Sequence, residues 1–176
     1  MRRNLAAYRR HQVFLNYPYD NDFHVLENAL HFAVVAAGLL PVCAKDLSSP
    51  DRPRLDMLVY AISNCHYSAH DLSRATGEGS NNFSRMNMPI ETGMAIFHAL
   101  ATQRTEHRCA FFVPASHDYK VYASDLAGLD PFCHDNSASK VLSAMYEWLR
   151  QVVPAAQMIP QPTVLVQQFP IAAGMP

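Results

Sequence analysis

The sequence predicts a single α/β domain built on a doubly wound parallel sheet. Short apolar runs alternate with longer segments of helical periodicity through residues 12–152, which is the pattern of successive strand–helix units. Polar residues follow the ends of several predicted strands, and no internal repeat interrupts the alternation. In such sheets ligands bind beyond the carboxyl ends of the strands, so the loops that follow the strands are the first place to look for a site.

The predicted strands are short apolar runs that end at polar residues or proline. The first follows a polar leader, residues 1–11, and ends at Pro18. The predicted strands cover residues 12–18, 40–44, 65–72, 108–114 and, as a short edge strand, 132–134.

The predicted helices have apolar residues on one face at a spacing of three or four. In the first, Leu26, Leu30 and Ala33 recur at this spacing and Gly38 ends the helix, because glycine adopts the left-handed conformation common there. The predicted helices cover residues 24–38, 55–64, 89–102 and 137–152, and residues 119–131 are predicted to be irregular or partly helical.

Two segments depart from the alternation. Residues 74–88 are predicted to form a long loop, and long loops without secondary structure are typical of lids and ligand-binding loops. Residues 153–176 form a tail rich in Pro and Gln with a strand-like run at 163–166, predicted to be disordered or to pack on a neighbour. The predicted organisation is a leader (1–11), one domain (12–152) and this tail (153–176).

Composition excludes several classes of function. The 176 residues carry a net charge of −1, so nothing favours nucleic acid or an anionic membrane as a partner. No apolar run approaches the roughly 20 residues of a membrane span, and there is no signal-peptide core, so we expect a soluble cytoplasmic protein. The four cysteines lack a CxxC pair and the nine histidines lack ligand spacing; we therefore predict no metal and no resident cofactor.

The segment 87–95 gives the strongest indication of chemistry. Glu91 follows Asn87-x-Pro89 at the start of a predicted helix. A carboxylate in a first helical turn is stabilised by the helix dipole, so a structural role is one interpretation. A catalytic carboxylate is the other interpretation. The sequence lacks the glycine-rich nucleotide fingerprint, the P-loop and the GxSxG elbow, so Glu91 is the candidate that remains.

One carboxylate beside amides, hydroxyls and aromatic rings suits chemistry at the anomeric carbon of a ribose. Breaking an N-glycosidic bond passes through an oxocarbenium-like state that a carboxylate stabilises or attacks. Nicotinamide leaves NAD⁺ as a neutral molecule, so no second acid is needed. Glu91 is the predicted catalytic residue, and the predicted substrate contacts are Asn16, Tyr17, Pro18, Tyr19, Asp20, Asp71, Ser73, Asn87 and Pro89.

Seven of these nine contacts also have a structural interpretation that stays open. Asn87 can cap the helix, Asp71 and Ser73 can fix a turn at a strand end, and Asp20 can be a solvated loop charge. Asn16, Tyr17 and Tyr19 can be packing residues at the edge of the core.

Three short segments resemble TIR-like (Toll/interleukin-1 receptor) domains. Residues 13–20 resemble the opening strand of that family, although Asn16 replaces its usual serine; residues 67–74 resemble its third strand, and residues 87–93 its glutamate helix. The resemblance implies a flavodoxin-like fold and cleavage of NAD⁺ by Glu91, with NAD⁺ as substrate rather than cofactor. Nucleoside 2-deoxyribosyltransferases are more distantly similar.

Bacterial members of the TIR-like class often act in antiviral defence of the Thoeris type. The resemblance therefore implies an NAD⁺ glycohydrolase or ADP-ribosyl cyclase that makes an ADP-ribose-derived signal or depletes NAD⁺. It also implies assembly into a homo-oligomer on activation, and a downstream effector that senses the product. Two alternatives stay open: a non-catalytic module for nucleotide binding and self-association, and a base-exchanging deoxyribosyltransferase.

Overall fold

The computed structural model describes residues 9–75, 84–115, 119–154 and 159–172. Five parallel strands form one sheet in the order β2-β1-β3-β4-β5. The strands are β1 (Gln12–Asn16), β2 (Leu40–Cys43), β3 (Tyr67–Asp71), β4 (Arg108–Val113) and β5 (Phe132–Cys133). This arrangement confirms the predicted doubly wound α/β class. The chain runs from β1 to β2 on one side and then crosses to β3 on the other, so the switch point lies between β1 and β3.

The described helices are α1 (His24–Ala36), α2 (Arg54–Asn64), α3 (Asn87–Ala101), α4 (Tyr119–Tyr122), α5 (Ala138–Val152) and α6 (Pro162–Ala172). Three short 3-10 turns, Asn21–Phe23, Ala44–Asp46 and Ser124–Leu126, lie in the connections. None of the helices in the described part of the chain is both long enough and apolar enough to cross a bilayer.

The helices cover the sheet in two layers. On one face, α1, α5 and α6 pack with Val13 and Leu15 of β1 around the largest buried cluster. On the other face, α2 and α3 pack against Phe14. Successive residues of a strand point to opposite faces, which is why neighbours in β1 belong to different clusters.

The strand-like interpretation of residues 163–166 was wrong, because this run lies within α6. Pro162 is the first residue of the helix, where its missing N–H costs little. Leu165 and Phe169, four residues apart, are both buried, and Phe169 packs on Phe32 of α1 at a ring distance of 5.8 Å. The β-branched residues suggested a strand, but burial of this helical face decides the structure. The predicted leader lies mostly outside the described residues, as do residues 76–83 of the predicted loop.

Candidate functional site

Glu91 lies in the second turn of α3, not in the first. The helix begins at Asn87, with the Ile90 N–H donating to the Met86 carbonyl at 3.0 Å. Pro89 is the third residue of the helix, where an N–H would have no helical partner in any case. The helix therefore begins two residues earlier than predicted. The helix-dipole explanation for Glu91 is weakened, because that effect fades beyond the first turn.

The carboxyl group of Glu91 is buried without full compensation. The residue is 5 % exposed, and its Oε2 atom has no hydrogen-bond partner among the described residues. Burial raises the pKa of Glu91 to about 7, against a smaller lowering by the positive charge of Arg54. A carboxyl group in this state is near half ionised at neutral pH, and carboxyl groups perturbed in this way by burial concentrate at functional sites.

In the described part of the chain, Tyr19 and Arg54 are the polar groups whose electrostatic interaction involves Glu91. Burial raises the pKa of the Tyr19 hydroxyl, the charge of Glu91 raises it further, and the Arg54 charge lowers it. Arg54 is the first residue of α2, and its guanidinium donates to the Leu47 carbonyl at 3.4 Å. The predicted contact Tyr19 thus lies within the electrostatic range of Glu91. Arg54 was not predicted, because nothing in the local sequence links the start of α2 to the start of α3.

Asn16 is buried, and its side-chain amide nitrogen is hydrogen bonded to residues of β3 and α3. Its amide nitrogen lies 3.1 Å from Nδ1 of His70 and donates to the Met88 carbonyl at 2.9 Å. The same carbonyl accepts the Thr92 hydroxyl at 2.7 Å. Asn16 therefore joins the end of β1 to the first turn of α3, three residues before Glu91. The structure gives the predicted substrate contact Asn16 a role in holding this helix.

Behind Asn16 a buried chain of hydrogen bonds runs to the start of β3. His107 Nδ1 lies 2.7 Å from the Cys65 carbonyl, so this nitrogen carries the proton. Its Nε2 therefore accepts the Ser68 hydroxyl at 2.8 Å, and the Ser68 oxygen accepts from His70 Nε2 at 2.8 Å. Burial lowers the pKa of His70 to about 3 and of His107 to about 4. Both rings are neutral. Because the Cys65 carbonyl fixes the position of the His107 proton, it also determines which group donates and which accepts in each hydrogen bond from His107 to Asn16.

Tyr17 points to the opposite face of the sheet from Asn16. It is fully buried in the α1 layer, where its hydroxyl donates to Glu27 at 3.0 Å and lies 2.9 Å from His31. The two-residue period of the strand separates Tyr17 from Asn16. Its ring still contacts Tyr19 edge to face at 5.1 Å. Pro18, between them, is buried.

Asp20 anchors the two ends of the loop that follows β3. Arg74 donates two hydrogen bonds to its carboxylate, both at 3.1 Å, and Arg85 donates one at 3.2 Å. The Phe23 N–H donates to the same carboxylate at 3.0 Å. Hydrogen bonding by Arg74 is the main cause that lowers the pKa of Asp20. This predicted substrate contact is an intramolecular anchor in the structure.

Asp71 and Ser73 form a second polar group with His134, which sequence reasoning missed. The Ser73 N–H donates to Asp71 at 2.8 Å, and His134 Nε2 lies 3.1 Å from the Asp71 carboxylate and 3.2 Å from the Ser73 hydroxyl. His134 Nδ1 accepts the Asn136 N–H, so Nε2 carries the proton and cannot take one from Ser73. These residues therefore do not form a serine nucleophile with its base.

The last two predicted contacts lie on the outer side of α3. Asn87 is exposed and is the first helical residue; the cap position is Met86, which makes no side-chain cap bond. Pro89 lines a cavity of about 300 Å³ between α3 and the Ser124–Leu126 turn, together with Gly93 and Ile96. Glu91 is not among the residues lining this cavity, because it lies on the other flank of the helix.

The described residues contain no group of three His, Cys, Asp or Glu side chains that could hold a metal ion. No protein-family model matches the chain, and no curated protein matches it significantly. The likeness to TIR-like domains therefore rests on the three short segments. The structure adds a parallel α/β sheet, which is compatible with this resemblance at the level of the fold.

Proposed function

We propose that the protein cleaves the bond between nicotinamide and ribose in NAD⁺, as a glycohydrolase or an ADP-ribosyl cyclase that depends on Glu91. One observation carries the proposal: a buried carboxyl group at the carboxyl edge of a parallel sheet, with one oxygen unpaired among the described residues. Burying such a group costs free energy, and perturbed carboxyl groups of this kind concentrate at functional sites. The resemblance of residues 87–93 to the TIR-like glutamate helix supports the same residue.

The proposed chemistry needs one carboxylate. When the glycosidic bond breaks, its electron pair moves to the nicotinamide nitrogen and neutralises that ring, while positive charge develops at C1′ of the ribose. The Glu91 carboxylate would stabilise this charge, and its low-dielectric surroundings make the stabilisation larger than in water. Water then attacks C1′ and releases a proton to give ADP-ribose. In a cyclase, a nitrogen of the adenine attacks instead.

The first experiment follows free nicotinamide during incubation of the full-length protein with NAD⁺. We expect release of nicotinamide, and a loss of at least about 100-fold in Glu91→Gln, the size of effect seen when one charge-stabilising group is removed. Glu147→Gln is the matched control, because Glu147 is exposed on α5, on the opposite face of the sheet. The assay is run on dilute and on concentrated protein, since TIR-like enzymes often act as assemblies.

Three results contradict the proposal in different ways. An unchanged rate in Glu91→Gln removes the role of this residue. Binding of NAD⁺ without release of nicotinamide at either concentration favours a non-catalytic nucleotide-binding module. Base exchange on deoxynucleosides without action on NAD⁺ favours a deoxyribosyltransferase.

The dependence of kcat/KM on pH gives a second test. The charged form of Glu91 is the active one in this mechanism, so kcat/KM is expected to rise with pH and to level off above the pKa of about 7. Within the described residues, Tyr19 and Arg54 are the other groups whose electrostatic interaction involves Glu91. Arg54→Gln removes a charge that lowers this pKa and should move the midpoint to higher pH. A rate that falls with pH through 7 would instead indicate that Glu91 acts as an acid.

The proposal includes a place in bacterial antiphage defence. Either the product is a signal for a downstream effector, or loss of NAD⁺ is itself the response. Mass spectrometry of the nucleotide product distinguishes linear, cyclic and conjugated ADP-ribose. A genomic neighbour with a ligand-sensing domain would favour the signalling role.

A further inference from the structure

The cavity between α3 and the Ser124–Leu126 turn has a volume of about 300 Å³ and is not lined by Glu91. Volumes from about 300 Å³ upward are typical of pockets for small molecules, and such pockets combine apolar walls with a few polar groups. Apolar side chains form most of this wall, among them Leu72, Pro89 and Ile96. The mechanism proposed above uses the other flank of α3, so this cavity has no assigned role.

The charged and aromatic groups of the cavity favour a cation. Asp125 belongs to the lining and is exposed, and within the described residues its carboxylate has no ion-pair or hydrogen-bond partner. Tyr122 adds an aromatic ring to the same lining, and the face of such a ring attracts a ligand cation within about 6 Å. No Lys, Arg or His is among the described residues that line the cavity. A positive ligand is therefore favoured here and an anion is disfavoured.

Two arginines adjoin the lining in sequence without belonging to it. Arg74 precedes Ala75 and Arg85 precedes Met86, both of which line the cavity. Each arginine donates to the Asp20 carboxylate, Arg74 at 3.1 Å and Arg85 at 3.2 Å. The positive charges nearest to the lining in sequence are thus directed toward Asp20.

Gly93 contributes space to the cavity. It is one of the lining residues, its backbone is not in the left-handed region, and a Cβ added to it would meet no atom within 4 Å. A glycine inside a helix lowers its stability relative to alanine, and nothing in the packing of the described chain requires one at this position. An open cavity does benefit from it, because any larger side chain at a lining position occupies ligand space.

The turn that carries the carboxylate is already formed without a ligand. The Leu126 N–H donates to the Ala123 carbonyl and the Ala127 N–H donates to the Ser124 carbonyl, both at 2.9 Å. Gly128 follows with φ of 99°, in the left-handed region that favours glycine. A preformed rim lowers the entropy that a ligand loses by ordering its site.

We propose that this cavity binds a small organic cation, with an apolar body against Leu72, Pro89 and Ile96 and an ammonium group beside Asp125 and Tyr122. The proposal does not depend on the reaction proposed above. A nucleotide such as NAD⁺ carries a negative diphosphate, which a cavity with an unpaired carboxylate disfavours. The cavity is therefore a second site and not an extension of the first.

The experiment compares three probes of similar shape and different charge: benzylammonium, benzyl alcohol and benzoate. Each is titrated into the full-length protein at pH 7 while amide signals are followed by ¹H–¹⁵N NMR. We expect saturable shifts at Gly93 and at residues 124–126. Benzylammonium should bind about 3- to 5-fold more tightly than benzyl alcohol, the range of an exposed ion pair, and benzoate should bind most weakly.

Two variants and a control assign the binding to this cavity. Asp125→Asn should weaken benzylammonium to the affinity of benzyl alcohol and leave benzyl alcohol unchanged. Gly93→Leu should weaken both probes at least about 10-fold by filling the cavity. Leucine is a good helix former and its Cβ meets open space, so thermal unfolding should show a folded variant. Asp130→Asn removes an exposed acid outside the lining and should change no affinity.

Four results would overturn the proposal. The first is the absence of saturable shifts with benzylammonium at Gly93 and the 124–126 turn. The second is an affinity for benzoate equal to or higher than that for benzylammonium. The third is a preference for the cation that survives Asp125→Asn or is lost equally in Asp130→Asn. The fourth is a set of shifts centred on Tyr19 and Glu91, which would place the cation in the candidate active site.

Discussion

Replacing Glu91 by glutamine should stabilise the protein, and the gain should increase with pH. Glutamine has the shape of a protonated glutamate and no charge to bury. Burial raises the pKa of Glu91 from its ordinary 4.5 to about 7, a rise of about 2.5 pH units. Each unit of pKa shift corresponds to about 1.36 kcal/mol. The carboxylate therefore lowers the free energy of unfolding by about 3 kcal/mol at a pH where Glu91 is ionised in both the folded protein and the unfolded chain.

The stability cost of Glu91 grows with pH because the folded protein and the unfolded chain bind its proton with different affinity. The folded protein holds the proton of Glu91 more tightly than the unfolded chain, so the unfolded chain loses it first as pH rises. The penalty is absent well below pH 4.5, develops between pH 4.5 and 7, and is constant above that range. It amounts to about 1 kcal/mol at pH 5 and about 3 kcal/mol at pH 8.

Urea unfolding of the parent and Glu91→Gln at pH 5 and pH 8 measures this directly. The difference in unfolding free energy between the two proteins should grow by about 2 kcal/mol from the lower to the higher pH. Glu147→Gln makes the same chemical change on the surface, where substitutions are within about 0.5 kcal/mol of neutral. If the parent is at least as stable as Glu91→Gln at pH 8, the carboxylate has a compensating partner and the reasoning about the site fails.

Three further predictions concern the surroundings of the site and the core. Asp20→Asn should lower the unfolding free energy by about 1–3 kcal/mol at pH 7. Because the pKa of Asp20 is lowered from 3.8 in the folded state, this loss should shrink as pH falls below that value. A loss independent of pH would contradict the charged contact. Asn16→Leu should move the Glu91 pKa, measured by carboxyl ¹³C NMR, because the bond to Met88 that holds α3 is lost; an unchanged pKa would show that the helix is positioned without it. Leu165→Ala should cost about 2–5 kcal/mol and Val164→Ala, on the exposed side of α6, far less; equal costs would mean that this helix does not belong to the core.

The sequence was sufficient for the sheet and for most helix positions. Apolar runs and helical periodicity report burial directly, and burial is what builds a doubly wound domain. Element ends were less accurate: the prediction started α3 at Pro89, whereas the first turn already forms at Asn87. Residues 163–166 were misread because β-branched residues favour strands in general, while here Leu165 and Phe169 supply a buried helical face.

The roles of the predicted site residues in binding and catalysis remain predictions. The structure separates those that interact with Glu91 from those that are bonded to other parts of the protein. Tyr19 lies within the electrostatic influence of Glu91, whereas Tyr17, two residues earlier, is bonded within the opposite layer. Asp20 and Asp71 are held by residues from other elements, Arg74 and His134. No local sequence pattern identifies these partners, because they contact each other only when segments distant in the sequence pack together.

The sequence by itself determined a parallel α/β domain with a single prominent carboxylate beyond a strand, because periodicity and residue type are local properties. The tertiary structure alone decided that this carboxylate is buried, with one oxygen lacking a hydrogen-bond partner among the described residues. It also decided that the charge of Arg54 acts on this carboxylate, and that the other side of its helix presents large apolar side chains. Those properties depend on which elements pack side by side, and packing depends on long-range contacts that no short segment encodes.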